Sequence, residues 1–288
     1  MDVVTLHRGR CGGVTVWVCV LIACGLVAAI GGCDAPRPIR IRVLTYNIHH
    51  GQGEDGKFDL PRLARVISDL KPDLAALQEV DCGTKRASGA DQAAELGRLT
   101  GMHAVFGKAM DFSGGQYGQA VLSRWPILHE KTHQLGHDPD SEPRIALSVS
   151  VRPVADRPEF TFVGTHLDHV KDHRLRLRQA RRLNELFVKD DGGPVILVGD
   201  LNDTPQSEPI KAMSEHWLRS AGDAPQATWP AKDPAKKIDY ILLRPAGRWR
   251  VVEVRVIEEK IASDHRPVLA VLEWRGLQPD LHQQGDGK

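Results

Sequence analysis

Short segments rich in branched apolar residues recur along the sequence, and several of them end directly in Asn, Asp, Glu or His. Alternation or a short apolar run predicts strands, here at residues 40–46, 73–77, 120–123, 145–151, 160–165, 194–198, 238–243, 251–256 and 267–272. Apolar residues at helical spacing predict helices, here at 60–70, 93–100 and 175–188. Many strands with a few interspersed helices favour an α+β sandwich.

Polar side chains stand where these predicted strands end. In chain order they are Asn47, Glu79, His166, Asp200, Asn202, Asp264 and His265. Taken singly each is weak evidence, because Asn or Asp after a strand is usually a turn former and a lone His usually fills a structural role. Strand ends can, however, gather such groups around one cleft. Carboxylate and amide oxygens suit Mg²⁺, and histidines suit proton transfer or a hydrogen bond to phosphate.

Two of these motifs resemble a known family. Gly-Asp-Leu-Asn at 199–202 and Ser-Asp-His at 263–265, in that order, are similar to motifs of the endonuclease/exonuclease/phosphatase superfamily, and the resemblance covers residues 40–274. It implies two packed β-sheets with helices on their outer faces, a four-layer α/β/β/α sandwich. The superfamily includes deoxyribonucleases, abasic-site endonucleases, inositol polyphosphate 5-phosphatases and sphingomyelinases, so the resemblance says little about the substrate.

The resemblance implies a metal site. Asn47 and Glu79 match its metal-binding Asn and Glu, and Asp264 matches its late metal-site carboxylate. The implied cofactor is Mg²⁺, with Mn²⁺ as a possible substitute.

The resemblance also implies catalytic roles. Asp200 matches the carboxylate that orients or deprotonates the attacking water, and Asn202 matches the amide that helps hold phosphate or metal. His265 matches the histidine that faces the scissile phosphate, Asp239 matches its carboxylate partner, and His166 matches a second phosphate-facing histidine.

Three further residues are candidate substrate contacts. Arg144 could clamp phosphate through its forked guanidinium, and a surface salt bridge is the alternative. Tyr117 and Gln119 occupy a predicted Gly-rich loop, where relatives often have Tyr-Gly-Asn, so Gln119 is a departure. Residues 51–58 and 109–118 are predicted loops in which substrate choice resides.

The histidines next to these motifs are harder to assign. His49 stands where some nuclease relatives have Asp, which removes one acidic metal contact. His50 and His169 have no predicted role beyond lining the site. The predicted arginine-rich face of the 175–188 helix is interpreted as solvated.

The amino terminus has the pattern of a targeting segment. Two arginines precede an apolar run at 14–30, followed by Gly-Gly-Cys33, which describes a secretory signal and resembles a bacterial lipobox with lipidation at Cys33. Cys24 is a second candidate, and an uncleaved membrane anchor is the other alternative, although 17 residues are short for a span of about 20. Each interpretation places the body of the protein outside the cytoplasm.

The sequence therefore divides into a signal peptide with lipobox at 1–33, a linker at 34–38, one catalytic domain at 39–275 and a flexible tail at 276–288. Four of the five cysteines lie in the first segment, which excludes a disulfide framework or cysteine zinc site in the domain. The predicted partners are a phosphoester substrate and a membrane reached through the lipid anchor, with no obligate protein partner evident.

These patterns predict a metal-dependent phosphodiesterase or phosphatase. Formal net charge is +1, and the leader carries +1 of it (one Asp, two Arg), so the remainder balances at zero. Tight nucleic-acid binders usually show a basic excess, so a lipid head-group or small phosphoester is placed ahead of DNA or RNA. The alternatives are a Mg²⁺-dependent nuclease, a non-catalytic binding lipoprotein, and a zinc hydrolase, which the lack of compact His spacing disfavours.

Overall fold

The structure is a computed structural model that describes residues 38–188, 193–222 and 226–276. The predicted leader with Cys24 and Cys33, the linker up to residue 37 and the tail from residue 277 lie outside the described residues. Within the described ranges, no helix has the length and apolar character to cross a membrane.

Twelve strands and four α-helices are described. They are β1 Ile39–Asn47, α1 Leu60–Leu70, β2 Leu74–Cys82, α2 Gln92–Thr100, β3 His103–Phe112, β4 Gly115–Ser123, β5 Ile127–Gln134, β6 Ile145–Val151, β7 Phe160–His166, α3 Arg174–Phe187, β8 Val195–Asp200, α4 Glu208–Ser214, β9 Leu218–Arg219, β10 Asp239–Arg244, β11 Trp249–Val256 and β12 Val268–Trp274, with 3₁₀ turns at His49–Gly51 and Ala246–Arg248.

The strands form two six-stranded sheets of similar design. The first has the order β11-β12-β1-β2-β4-β3 and the second β5-β6-β7-β8-β10-β9. In each sheet one central pair is parallel, β1 with β2 and β7 with β8. The other neighbours are antiparallel.

Three apolar clusters hold the layers together. The largest lies between the sheets and includes Ile41, Phe160, Phe162 and Trp274. A second joins the first sheet to α1 and α2, and a third joins the second sheet to α3 and α4. The arrangement confirms the predicted α/β/β/α sandwich.

Side-chain caps begin α1 and α2, and an apolar stripe packs α3 against its sheet. Asp59 and Asp91 accept hydrogen bonds from the backbone N–H groups of Arg62 and Ala94, which caps α1 and α2. The predicted apolar stripe of α3 is confirmed. Four of its members are buried and one, Leu186, is half-buried; the buried ones are Leu175, Ala180, Leu183 and Phe187.

One arginine of α3 contradicts the solvated-face interpretation. Arg176 is buried, and its Nε lies 3.0 Å from an Asp203 carboxylate oxygen. Its Nη1 donates to the carbonyl oxygens of Asp168 and Val170. Arg176 therefore fixes the loop after β7, a role that helical spacing does not reveal.

Each predicted strand and helix overlaps an observed one, but the predicted loop at 109–118 is wrong. Those residues complete β3, turn at Ser113–Gly114 and begin β4, so Tyr117 and Gln119 lie within a strand. The observed β3, β5, β9 and α4 were not predicted. Most residues of β3 and β5 are exposed or half-buried, which leaves little apolar signal.

Candidate active site

The topology brings the polar strand ends to one end of the sandwich. Asn47 ends β1, and its neighbour β2 runs parallel to it, carrying Glu79. In the second sheet His166 and Asp200 end the parallel strands β7 and β8 and stand opposite each other in register.

The later residues reach the same end because their strands run the other way. Asp239 begins β10, which is antiparallel to β8 and pairs Asp239 with Asp200. His265 comes shortly before β12, which is antiparallel to β1. The beginnings of these strands therefore lie beside the ends of their neighbours.

An irregularity in β2 presents Glu79. The pairing of β2 with β4 shifts between Gln78 and Val80, and Glu79 itself has a φ of 58°. A bulge of this kind re-aims a side chain next to a site. Here Glu79 is half-buried beside the cavity.

Asn47 joins the two sheets. Its Nδ2 donates to Glu79 Oε1 at 3.0 Å and to Asp200 Oδ2 at 3.2 Å. Burial alone would raise the pKa of Glu79, but polar neighbours that favour the carboxylate, among them the Asn47 amide, leave the net pKa below the ordinary glutamate value.

Asp200, His265 and Asp239 form a buried acidic and basic group. His265 Nδ1 lies 3.0 Å from Asp239 Oδ2, and His265 Nε2 lies 3.6 Å from Asp200 Oδ2. Burial lowers the pKa of His265, but Asp239 and then Asp200 outweigh it and raise the pKa to about 10. Burial, supported by Asp239, raises the pKa of Asp200 above the ordinary aspartate value. Near neutral pH the group holds an imidazolium beside a carboxyl whose proton affinity is increased.

His166 is neutral. Burial, reinforced by Arg144, lowers its pKa well below the ordinary histidine value. Arg144 Nη1 lies 3.4 Å from His166 Nδ1, and Asn202 Nδ2 lies 2.9 Å from His166 Nε2. Both neighbours are donors, and a neutral imidazole accepts at only one nitrogen. His166 Nε2 also lies 3.5 Å from the acceptor Asp200 Oδ2, so a proton on Nε2 leaves Nδ1 to accept from Arg144.

Arg144 is 3% exposed, so it is buried and not at the surface, although it does make an ion pair with the partly exposed Glu142. Its Nη2 lies 2.8 Å from Glu142 Oε2 and 3.2 Å from His169 Nδ1. Its buried Nε has no hydrogen-bond partner among the described residues. A buried guanidinium with a spare donor at a cavity suits an anionic ligand.

Most of the predicted site residues surround one cavity of about 500 Å³. Its lining includes Glu79, Tyr117, Arg144, His166, Asp200, Asn202, Asp264 and His265. Asn47 and Asp239 stand behind this wall and contact it through Asp200 and His265. Gln119 is not brought to the lining: it is buried, and its Nε2 donates to the Ile145 carbonyl at 2.9 Å.

The outer wall of the cavity is formed by Arg86, Met110, Phe112, Trp229, Lys236 and Ile238. Met110 and Phe112 belong to the segment 109–118 that sequence reasoning assigned to substrate choice, whereas it missed the other four. Arg86 is held by Asp81 at 2.6 Å, and its guanidinium lies 4.5 Å from the centre of the Phe112 ring. Trp229 Nε1 donates to Asp264 Oδ2 at 3.3 Å, a contact between residues 35 positions apart that no local sequence pattern indicates.

The donors around Glu79 fit a divalent cation. Glu79, His49 and His50 each offer one ligand atom, all within 4.8 Å of one another, and Asp200, Asp239 and His265 form a second such group. The buried His50 Nδ1 has no hydrogen-bond partner among the described residues and lies 3.8 Å from Glu79 Oε2. Asp264 belongs to neither group, so its predicted metal role stays a prediction.

Comparisons with known proteins identify a family for the chain. The model of the Endonuclease/Exonuclease/phosphatase family matches residues 44–265. The uncharacterized protein YbhP of Escherichia coli (strain K12) is 27% identical over 252 residues, which cover 82% of this chain and 98% of that protein.

Solved structures share the fold. An endonuclease/exonuclease/phosphatase from Beutenbergia cavernae superposes with a TM-score of 0.66 at 26% identity, over 82% of this chain and 72% of the other. A mannosyl-6-phosphatase from Bacteroides thetaiotaomicron superposes with a TM-score of 0.65 at 20% identity, over 81% of this chain and 99% of the other.

Proposed function

Because the chain belongs to the Endonuclease/Exonuclease/phosphatase family, whose members hydrolyse phosphoester bonds, we propose that its cavity is the active site of a divalent-cation-dependent phosphoester hydrolase. The observation that carries the proposal is the position of Asp200. Its Oδ2 lies within 3.2–3.6 Å of Asn47, His166 and His265, at the meeting point of both sheets.

Asp200 is the base in this proposal. Its raised pKa gives it a greater proton affinity than an exposed aspartate, which suits removal of a proton from water near neutral pH. The hydrogen bond from Asn47 Nδ2 and that from the Asn202 backbone N–H hold its two oxygens in place. Glu79, with His49 and His50 beside it, would hold the cation, which when bound neutralises phosphoryl charge and polarises the attacking water.

Positive groups stabilise the phosphoryl oxygens. His265 is protonated at neutral pH, and Asp239 fixes its ring so that Nε2 is directed at Asp200 and the cavity. Arg144, which lines the same cavity and contacts His166, adds a permanent charge. Preorganised donors of this kind act on charge as it develops in the transition state.

For the substrate we propose a small phosphoester or a lipid head-group ahead of a nucleic acid. The cavity volume of about 500 Å³ suits a small group, and Met110, Phe112 and Trp229 offer apolar surface beside the phosphate-binding donors. The protein without its leader has no net positive charge. A net positive charge would favour binding of a long polyanion such as a nucleic acid. The leader motif with Cys33 supports action outside the cytoplasm on a membrane tether.

The decisive experiment is hydrolysis of 4-nitrophenyl phosphate and bis(4-nitrophenyl) phosphate by metal-free protein supplied with Mg²⁺, Mn²⁺ or EDTA. We expect turnover only with a cation, and a loss of at least about 10³-fold in Asp200→Asn. Glu95→Gln, at an exposed ion pair with Arg98, is the matched control and should retain full activity. Turnover in EDTA, or an active Asp200→Asn protein, contradicts the proposal.

A further inference from the structure

The backbone around Glu79 is held in an unusual conformation at three places. His49, His50 and Glu79 have φ values of 46°, 46° and 58°. Residues other than glycine rarely adopt this left-handed region of φ, and those that do are often found at functional sites. These three residues form one of the two groups whose ligand atoms lie within 4.8 Å of one another.

Gln52 fixes which nitrogen of each histidine carries the proton. The Gln52 carbonyl oxygen lies 3.2 Å from His49 Nδ1, and its side-chain Oε1 lies 3.4 Å from His50 Nε2. The Gln52 amide nitrogen donates to the Gly56 carbonyl at 3.0 Å, which sets the orientation of the amide. Both contacts are therefore with acceptors, so His49 Nδ1 and His50 Nε2 are the protonated nitrogens.

The remaining nitrogens then present lone pairs. For His50 this is Nδ1, which is buried, has no hydrogen-bond partner among the described residues and faces Glu79 Oε2 at 3.8 Å. A nitrogen lone pair and a carboxylate oxygen that face each other repel, and a cation bound between them would remove this repulsion. Two ligand atoms about 2.1 Å from one ion stand roughly 3.0 to 4.2 Å apart, depending on the angle, and 3.8 Å falls in that range.

We infer that His50, together with His49, supplies imidazole nitrogen to the cation bound at Glu79, and that this site consequently takes Mn²⁺ in preference to Mg²⁺. Imidazole suits first-row transition ions, whereas Mg²⁺ takes oxygen ligands. Gln52 is then the positioning residue that orients both rings by accepting their other N–H groups. The inference rests on the proposed function for the location of the cation, and it replaces an all-oxygen site with a mixed nitrogen and oxygen site.

The test is pulsed electron paramagnetic resonance of Mn²⁺ added to the metal-free full chain, which detects ¹⁴N of a directly bound imidazole. Calorimetric titrations with Mn²⁺ and Mg²⁺ accompany it. The variants are His50→Asn and the double variant His49→Asn/His50→Asn, because Asn adopts positive φ more readily than most residues. His169→Asn is the matched control, since His169 lines the same cavity but contacts Arg144.

We expect bound ¹⁴N in the wild-type protein and in His169→Asn, a reduced signal in His50→Asn and none in the double variant. Mn²⁺ affinity should fall at least about tenfold in His50→Asn, while Mg²⁺ affinity changes less than about threefold.

A wild-type spectrum without directly bound nitrogen overturns the inference, as does a signal that persists in the double variant. The first of these outcomes would mean that His50 Nδ1 carries a proton and pairs with Glu79. If a variant fails to fold, the wild-type spectrum alone decides.

The two proposals fail differently. Cation-dependent hydrolysis with an all-oxygen site removes this inference and leaves the proposed function standing. Nitrogen-bound Mn²⁺ without hydrolysis of either nitrophenyl ester does the reverse.

Discussion

His265 and Asp239 form a buried ion pair in which His265 Nδ1 lies 3.0 Å from Asp239 Oδ2, and the two side chains are 6% and 1% exposed. Asp239 begins β10 in the second sheet, and His265 lies shortly before β12 in the first sheet. It therefore contributes to the stability of the sandwich as well as to the chemistry of the cavity.

This pair makes the free energy of unfolding decrease as pH rises into the alkaline range. The pKa of His265 is raised to about 10 in the folded protein, so its stabilising contribution is complete below the unfolded value of about 6.5 and is lost as pH rises through the folded value. We expect the free energy of unfolding of metal-free protein to fall with pH in this window by up to about 1.4 kcal/mol per pH unit. Urea titrations between pH 6.5 and 10 measure it. The slope should flatten in His265→Gln, and an equal slope in that variant would contradict the assignment.

The raised pKa of Asp200 predicts opposite effects of Asp200→Asn on activity and stability. As pH rises from the unfolded aspartate pKa through the raised folded pKa, ionisation of this carboxyl favours the unfolded state. Removing the ionisable group should therefore raise the free energy of unfolding of metal-free protein by up to about 1 kcal/mol at pH 7.5. Activity should fall in the same variant. Thermal melts and the nitrophenyl assay measure the two quantities, and a lower melting temperature would count against the electrostatic argument.

The same carboxyl places the acid limb of the pH–rate profile. Asp200 must be unprotonated to accept a proton, so kcat/KM should decline as pH falls below neutral, at higher pH than an exposed aspartate would give. Asp239→Asn removes a neighbouring negative charge and should move this limb to lower pH. An unmoved limb in that variant would show that another group titrates.

Arg144 should not be replaceable by lysine. A lysine retains the charge but loses the forked donors that reach His166 and His169. We expect Arg144→Lys to lower kcat/KM by about 10- to 100-fold, with a rise in KM. Arg152→Lys is the matched control, because Arg152 pairs with Glu159 at the surface. Steady-state kinetics on the nitrophenyl esters would refute the argument if both variants behaved alike.

The pair Asp81–Arg86 should be important for folding. Asp81 is fully buried and accepts from Arg86 Nε and Nη2 at 2.6 and 2.9 Å. Removing the arginine leaves a buried carboxylate without its cation, so Arg86→Ala should cost about 3–5 kcal/mol of stability. Arg98→Ala, at an exposed pair, should cost less than about 1 kcal/mol. Equal losses in urea unfolding would place Arg86 among ordinary surface residues.

The inner part of the site was predictable because its residues directly follow or precede apolar strands. Asn47, Asp200 and His265 are examples, since strand periodicity alone places them at one edge. The outer wall was not predictable, because Trp229 and Lys236 come from a segment without periodic apolar residues. Likewise the burial of Arg176 depends on Asp203, 27 residues later in the chain.

The hydrogen bond from Asn47 Nδ2 to Asp200 Oδ2, 3.2 Å long, crosses from one sheet to the other. His265 and Asp239 join the same two sheets at 3.0 Å, so a small displacement of one layer against the other would lengthen both contacts while each sheet keeps its own backbone hydrogen bonds. Hydrostatic pressure, or a void cut into the interlayer core at Phe162, should therefore switch the enzyme off while its circular dichroism spectrum is still that of the native protein. The rate of turnover should therefore report on the relative position of the two sheets.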